Sequence, residues 1–145
     1  MRTHEFLDRV DHDRVVEAIK AAEGQTSGEI RVFVHRGELN EDPYVYAQSK
    51  FNKLCLHKTR ERNGVLVFVA PRAQKFAVLG DEGIHAKVGD VFWQQLVEKM
   101  REHFKQEHFT EALVDGIGEV AKLLAQFFPR RPDDKNELPD EIVVE

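Results

Sequence analysis

The sequence predicts an α/β fold with three layers, a three-layer α/β/α sandwich in which a small mixed sheet lies between helices. Two observations lead to this prediction. Apolar residues are continuous from Val65 to Ala70, which indicates a strand that is covered on both faces. Strand-like and helix-like periodicities alternate along the chain, an order that is typical of a parallel βαβ unit followed by an antiparallel hairpin. A chain of 145 residues is long enough for one domain with a substantial core.

The first part of the chain has a helical pattern that ends at Gly24. We expect a break near residue 12, because Asp11 or Asp13 can cap a second helix. The first strand is predicted over residues 29–35, where alternate side chains are apolar.

A helix and a second strand follow. Asp42 can cap a helix whose first residue is Pro43, and apolar residues recur at helical spacing as far as Cys55. The second strand, residues 65–70, comes after this helix. Because a helix joins them, the two strands are expected to be parallel, with a right-handed crossover.

A short turn separates the second strand from the third. Pro71 ends the apolar run, and residues 74–79 have the composition of another strand. Their link is too short for a parallel crossover, so we expect an antiparallel hairpin. Two amphipathic helices are predicted beyond residue 90, and the second ends at Pro129. Their apolar stripes are Phe92, Trp93, Leu96, Val97, Met100 and Phe104, and then Phe109, Leu113, Ile117, Val120, Leu124 and Phe127.

The composition changes after the last helix. We expect one domain over residues 1–129 and an extended, acidic tail over residues 130–145, which contains Pro132 and Pro139. Residues 142–144 are apolar, which indicates that the tail docks on the domain, either as an edge strand or beside a helix.

Composition limits the classes of function. The net charge of −5 opposes general nucleic-acid binding, which depends on phosphate neutralisation. No apolar run is long enough to span a membrane, and the start of the chain has no signal-peptide pattern. One cysteine excludes an internal disulfide and fits a reducing compartment. We therefore expect a cytoplasmic monomer with a protein partner that the sequence does not identify.

The candidate site is a glycine-rich corner, residues 80–90, after the third strand. Asp81, Glu82 and Asp90 are candidate metal ligands, because Ca²⁺ and Mg²⁺ prefer carboxylate and carbonyl oxygens. The alternative is that Asp81 caps a helical turn and Asp90 caps the next helix.

A basic cluster precedes the second strand. Arg60 and Arg62 are candidate anion ligands, because guanidinium groups bind phosphate oxygens with two parallel hydrogen bonds. The alternative is a solvated helix end, where cations also suit the helix dipole. The seven histidines do not have the spacing of a zinc motif on a helix.

Three strings of residues together carry a resemblance to a known family: Ser27-Gly28-Glu29-Ile30-Arg31-Val32, Asn63-Gly64-Val65-Leu66-Val67-Phe68 and Gly80-Asp81-Glu82-Gly83-Ile84. The chain resembles the TPM domain family, and within it the short, stand-alone bacterial type. The resemblance covers almost the whole chain. It implies an α/β/α sandwich with a small mixed sheet, which agrees with the pattern of the residues.

The resemblance also implies two functions. Some bacterial members bind calcium or magnesium, which implies a divalent-cation-binding regulatory or interaction domain with its site at Asp81, Glu82 and Asp90. Plant members have been described as acid phosphatases, which implies, as the alternative, a metal-assisted phosphatase for small phosphomonoesters. In that reaction the metal would activate a water, and Arg60 or Arg62 would hold the phosphate. No residue pattern identifies a nucleophile, so whether the chain is an enzyme stays open.

Overall fold

The structure, a computed structural model, describes residues 1–131 and 141–145. Helices and strands alternate in the first half of the chain, two long helices follow, and a short strand comes last. In chain order the elements are α1 (Thr3–Arg9), α2 (His12–Glu23), β1 (Glu29–Val34), α3 (Pro43–Lys53), a 3₁₀ turn (Leu56–Lys58), β2 (Gly64–Ala70), β3 (Lys75–Gly80), α4 (Glu82–His85), α5 (Asp90–Lys105), α6 (Phe109–Phe127) and β4 (Ile142–Val144).

The strands of the described residues form one mixed sheet in the order β3-β2-β1-β4. β1 and β2 are parallel, with Glu29 opposite Gly64. β3 returns antiparallel beside β2, so Gly80 lies opposite Val65. The first residues of β1 and β2 therefore lie beside the last residues of β3. We call this the amino end of the sheet, and the opposite side the carboxyl end.

Helices cover both faces of the sheet. On one face, α1, α2, α5 and α6 contribute to a core that includes Ile30 and Val32. On the other face, α3 and the 3₁₀ turn pack against Phe33, Leu66 and Phe68. Every residue of β1 and β2 is buried, which explains the continuous apolar run in β2. The predicted three-layer α/β/α arrangement is confirmed.

Aspartates cap two helices where the sequence predicts a start. Asp11 separates α1 from α2, and its carboxylate accepts a hydrogen bond from the backbone amide of Arg14 at 3.2 Å. Asp42 accepts one from the amide of Tyr44 at 2.8 Å, at the start of α3. Each cap satisfies an amide that has no partner within its own helix.

The helix α3 ends earlier than the apolar pattern predicts. Its last residue is Lys53, and Cys55 has a left-handed backbone with φ of 63°. A residue in this conformation cannot continue a right-handed helix. Cys55 is half-buried at the start of the 3₁₀ turn, and Leu56 is the fully buried residue of that segment.

The two long helices α5 and α6 approach each other closely. A methyl group built on Gly116 of α6 would lie 2.8 Å from Met100 Sδ of α5. This contact explains a glycine inside a helix, where it costs about 1 kcal/mol relative to alanine. Gly118 differs, because no such neighbour lies within 4 Å of its methyl position.

The apolar residues near the end of the chain form β4 at the edge of the sheet. β4 is parallel to β1, with Val143 opposite Phe33. The amide of Glu145 donates to the Val34 carbonyl oxygen at 3.1 Å, and Lys53 Nζ donates to Glu145 Oε2 at 2.9 Å. Of the two placements that the sequence left open, the structure has residues 142–144 as an edge strand.

The rest of the predicted acidic tail is only partly described. Residues 132–140 lie outside the described residues. The Arg130 amide donates to the Gln25 carbonyl oxygen at 3.3 Å, so the chain keeps contact with the domain just beyond residue 129. The domain boundary at residue 129 stays a prediction.

Candidate functional site

The predicted acidic corner lies at the amino end of the sheet. An ion pair there joins the segment before β2 to the residue that follows β3. Arg62 precedes β2 and Asp81 follows β3, so the register of the hairpin brings them together. Arg62 Nε lies 2.7 Å from Asp81 Oδ2, and Arg62 Nη2 lies 2.9 Å from Asp81 Oδ1. Arg62 Nη1 donates to Glu82 Oε1 at 3.0 Å. We call Arg62, Asp81 and Glu82 the latch.

Both carboxylate oxygens of Asp81 accept hydrogen bonds within the protein. Oδ1 also accepts from the Glu82 amide at 2.8 Å, which makes Asp81 the N-cap of α4. Asp81 is only 6% exposed. The hydrogen bonds from Arg62 to this carboxylate raise the pKa of the Arg62 guanidinium above its ordinary value. Asp81 therefore caps α4, which is the alternative that the sequence left open for it, and it also forms an ion pair with Arg62.

The other two candidate residues do not belong to the latch. Asp90 is exposed as the first residue of α5, and Gly89 takes the capping position that was predicted for Asp90. Arg60 is exposed in the segment before β2. Among the described residues, no group of three or more His, Cys, Asp or Glu side chains could hold a metal ion. Asp81, Glu82 and Asp90 thus do not share one donor set here, and cation binding stays a prediction.

A second polar cluster joins the segments that precede β1 and β2. Asn63 Nδ2 donates to Ser27 Oγ at 3.0 Å and to Glu61 Oε2 at 3.3 Å, and the Ser27 hydroxyl donates to the same carboxylate. Arg131 Nη1 lies 3.6 Å from Glu61 Oε1. These contacts fix the start of both parallel strands. They give Ser27 and Asn63 structural roles, although neither residue is a site candidate in the sequence.

Close packing also explains a glycine of the corner. A methyl group built on Gly83 would lie 2.2 Å from the Glu61 carbonyl oxygen and 2.6 Å from that of Arg62. The Gly83 amide donates to the Arg62 carbonyl oxygen at 2.9 Å. α4 is therefore held against the segment before β2, and only glycine fits this approach of two backbones.

A cavity lies at the opposite, carboxyl end of the sheet. It has a volume of about 590 Å³ and is bordered by α1, the end of β2, the turn between β2 and β3, and the connection between α5 and α6. Ligands of α/β proteins bind outside the carboxyl ends of parallel strands, and this volume is typical of small-molecule sites. The position and size of the cavity make it the candidate site.

Aromatic rings form one wall of the cavity. The ring centroids of Phe76 and Phe104 are 4.8 Å apart, those of Phe104 and Phe109 are 6.3 Å apart, and those of Phe109 and Phe6 are 5.0 Å apart. Phe76 and Phe104 are half-buried. Met1 adds a flexible apolar side chain to the lining. We call the four phenylalanines the aromatic wall, which suits a flat apolar ligand.

Charged residues also line the cavity. Lys75, Arg101 and Lys105 contribute cations, and Glu107 contributes a carboxylate. Lys105 and Glu107 are exposed, whereas Lys75 and Arg101 are half-buried. We call these four residues the rim. With three cations and one acid, the rim carries a positive balance of charge.

No motif in the sequence marks this cavity. Phe104 and Phe109 fit the stripes of core residues, and the rim residues belong to no motif. The signal that points to the cavity is positional. Ala70 and Pro71 come at the end of a strand that was predicted to be parallel, and ligand sites of α/β folds form at such ends.

Most of the chain matches one known domain. A TPM domain is found over residues 1–123. The chain belongs to the TPM domain family. The matched part of this TPM domain includes the latch and the described residues that line the cavity, whereas β4 lies beyond it. The resemblance drawn from three short strings is thereby confirmed.

This TPM domain is similar to the BA42 protein from the psychrophilic bacterium Bizionia argentinensis, whose structure was determined by NMR. The two chains are 38% identical, the similarity covers 92% of each chain, and the TM-score is 0.85. The two proteins therefore share the α/β fold over nearly their whole length. A comparison with curated proteins finds no match.

One property that bears on location can be read from the helices. Of those in the part of the chain that the structure describes, none is both long and apolar enough to cross a membrane. The cytoplasmic location, the protein partner and the monomeric state stay predictions.

Proposed function

We propose that this TPM domain is a regulatory or interaction domain that binds a small, flat, apolar molecule in the cavity at the carboxyl end of the sheet. The observation that carries the proposal is the aromatic wall, which lines the cavity together with the last residues of β2. A ligand there would contact α1, the turn between β2 and β3, and the connection between α5 and α6. Binding would favour one arrangement of these segments, and could thereby alter the surface offered to a partner.

The expected affinity follows from the surface that a ligand would bury. A molecule with two fused rings that buries roughly 200 Å² of apolar surface gains about 5 kcal/mol. Association costs offset part of this gain, so dissociation constants of roughly millimolar or weaker are expected. Binding in this range is measured well by NMR titration.

The variant Phe104→Ala tests the proposal with 2-naphthol, a neutral probe with two fused rings. In the wild-type protein we expect amide shifts near Phe76, Phe109 and the end of β2. Phe104→Ala should weaken binding about fivefold or more, because an aromatic contact contributes about 1 kcal/mol beyond simple burial. The measurement is a titration of isotopically labelled protein followed by NMR.

The matched control is Phe92→Ala. Phe92 lies on the same helix, is also half-buried, and packs against the core without lining the cavity. It should bind 2-naphthol as the wild type does. Equal weakening in both variants, or no localised shifts in the wild type, would contradict the proposal.

Divalent-cation binding at the latch is a second candidate function. The observation in its favour is that Asp81 and Glu82 already share one cationic partner, so both carboxylates converge on one position. Arg62 competes for that position. The test is titration with Ca²⁺ or Mg²⁺ followed by amide shifts, and an unchanged spectrum at millimolar ion removes this candidate. Phosphatase activity stays a prediction. In the structure, Asp81 and Glu82 already bind Arg62, one of the two predicted phosphate ligands.

A further inference from the structure

We infer that the cavity selects aromatic carboxylates, that is, flat ring systems that carry one carboxylate group. The inference rests on the proposed function and adds the charge of the ligand to it. Its basis is the juxtaposition of the aromatic wall with the cations of the rim, Lys75, Arg101 and Lys105. A ligand with an apolar body and one anionic group complements both features.

Two of the rim cations are placed to bind such a group together. Arg101 and Lys105 are one helical turn apart on α5, so their side chains leave the same face of the helix. Arg101 Cζ lies 6.0 Å from the centroid of the Phe76 ring, which puts the guanidinium beside the aromatic wall. A planar carboxylate on a ring that stacks against this wall can form two parallel hydrogen bonds with the guanidinium.

The present partners of these cations are exposed carboxylates on the same helix. Arg101 pairs with Glu98, and Lys105 Nζ lies 3.9 Å from Glu102 Oε1. The side chains of Glu98 and Glu102 are 67% and 64% exposed. Exposed pairs contribute little to stability, because water and salt screen them. A ligand carboxylate that binds against the apolar wall can therefore compete for both cations.

The remaining rim residues do not cancel this positive charge. Glu107, the acid among the described lining residues, has its Oε1 3.5 Å from Arg9 Nη1, so a further cation balances it. Lys75 Nζ donates to the carbonyl oxygens of Leu39 and Glu41 at 3.2 and 3.3 Å. These bonds hold the ammonium group beside the segment before α3, and because Lys75 lines the cavity, its charge adds to the local positive potential.

Two probes of the same shape separate the effect of charge from the effect of the rings. The anion is 2-naphthoate, and its neutral counterpart is 2-naphthamide. At neutral pH and low salt, we expect wild-type protein to bind 2-naphthoate about tenfold more tightly, because charge-assisted hydrogen bonds are stronger than neutral ones. The preference should decrease as salt is added. NMR titration measures both affinities.

The double variant Arg101→Gln, Lys105→Gln should bind the two probes with nearly equal affinity, while its affinity for 2-naphthamide stays close to that of the wild type. The matched control is Lys99→Gln. Lys99 lies on the same helix, is 65% exposed, and pairs with Glu119 outside the cavity lining. The control should keep the full preference for the anion.

The outcomes distinguish this inference from the proposed function. Equal affinity of the wild type for both probes overturns the inference and leaves the proposed function standing. A preference that survives the loss of both cations of α5 also overturns it. If neither probe binds, the inference and the proposed function fail together.

Discussion

At the scale of single residues, one arginine determines the chemistry of the acidic corner. Arg62 binds both carboxylate oxygens of Asp81 and one of Glu82, so these acids neutralise a cation of the protein itself. Asp81 also caps α4. One buried carboxylate thus connects the segment before β2, the end of β3 and the first turn of α4. We therefore expect the loss of this carboxylate to reduce stability.

Replacing Asp81 with asparagine tests this role. Asp81→Asn keeps the shape of the side chain but loses the charge-assisted bonds to Arg62, so the melting temperature should fall by roughly 3–8 °C. Glu82→Gln is the control and should change it much less, because the Glu82 side chain is 71% exposed. Differential scanning calorimetry measures both. Equal melting temperatures for wild type and Asp81→Asn would show that the latch does not stabilise the fold.

The sequence places Asp81 in the right loop but does not identify its partner. Capping, ion pairing and metal binding all use an aspartate at such a position, and local spacing does not separate them. The deciding fact is the register of the hairpin, which brings Arg62 to Asp81 across 19 positions of the chain. Only the folded sheet reveals that contact.

At the scale of elements, local patterns predict the features that depend on neighbouring residues. Three such features are confirmed: the apolar run that forms β2, the cap at the start of α3 and the tight turn before β3. The end of α3 is missed, because nothing in the sequence marks the left-handed conformation of Cys55. The cavity is missed because the acidic corner follows β3, whose antiparallel direction places that corner at the amino end of the sheet.

The packing of α5 against α6 leads to a prediction about two glycines in the same helix. Gly118→Ala should stabilise the protein by roughly 0.5–1 kcal/mol, because alanine favours the helix and its methyl group meets no neighbour. Gly116→Ala should not give this gain, since its methyl group would crowd Met100. Urea unfolding of both variants measures the difference. A larger gain at Gly116 would contradict the close packing described here.

At the scale of the whole molecule, the sheet separates the latch from the cavity. β2 has seven residues, which corresponds to a length of roughly 20 Å between the two ends of the sheet. Effects of latch variants on stability and effects of rim variants on binding should thus be close to independent. The strand β4 covers the outer side of β1, and it thereby protects an edge that could pair with another chain.

We expect the attachment of β4 to depend on pH through Glu145. The hydrogen bond from Lys53 lowers the pKa of the Glu145 carboxyl below its ordinary value of 4.5. Because the folded-state pKa is the lower one, this contribution to docking is present above about 4.5 and is lost as the pH falls through the lowered value. Lys53→Gln should raise the midpoint of Glu145 titration, measured by carbon NMR of its carboxyl group. Identical midpoints in wild type and variant would exclude the proposed role of Lys53.

The presence of Met1 in the lining has a practical consequence for ligand screening. Because this residue borders the cavity, an affinity tag fused directly before it would begin beside the cavity. Such a fusion can occlude small compounds or bind there in their place. Protein that carries no affinity tag directly before Met1 is therefore the appropriate material for a compound library.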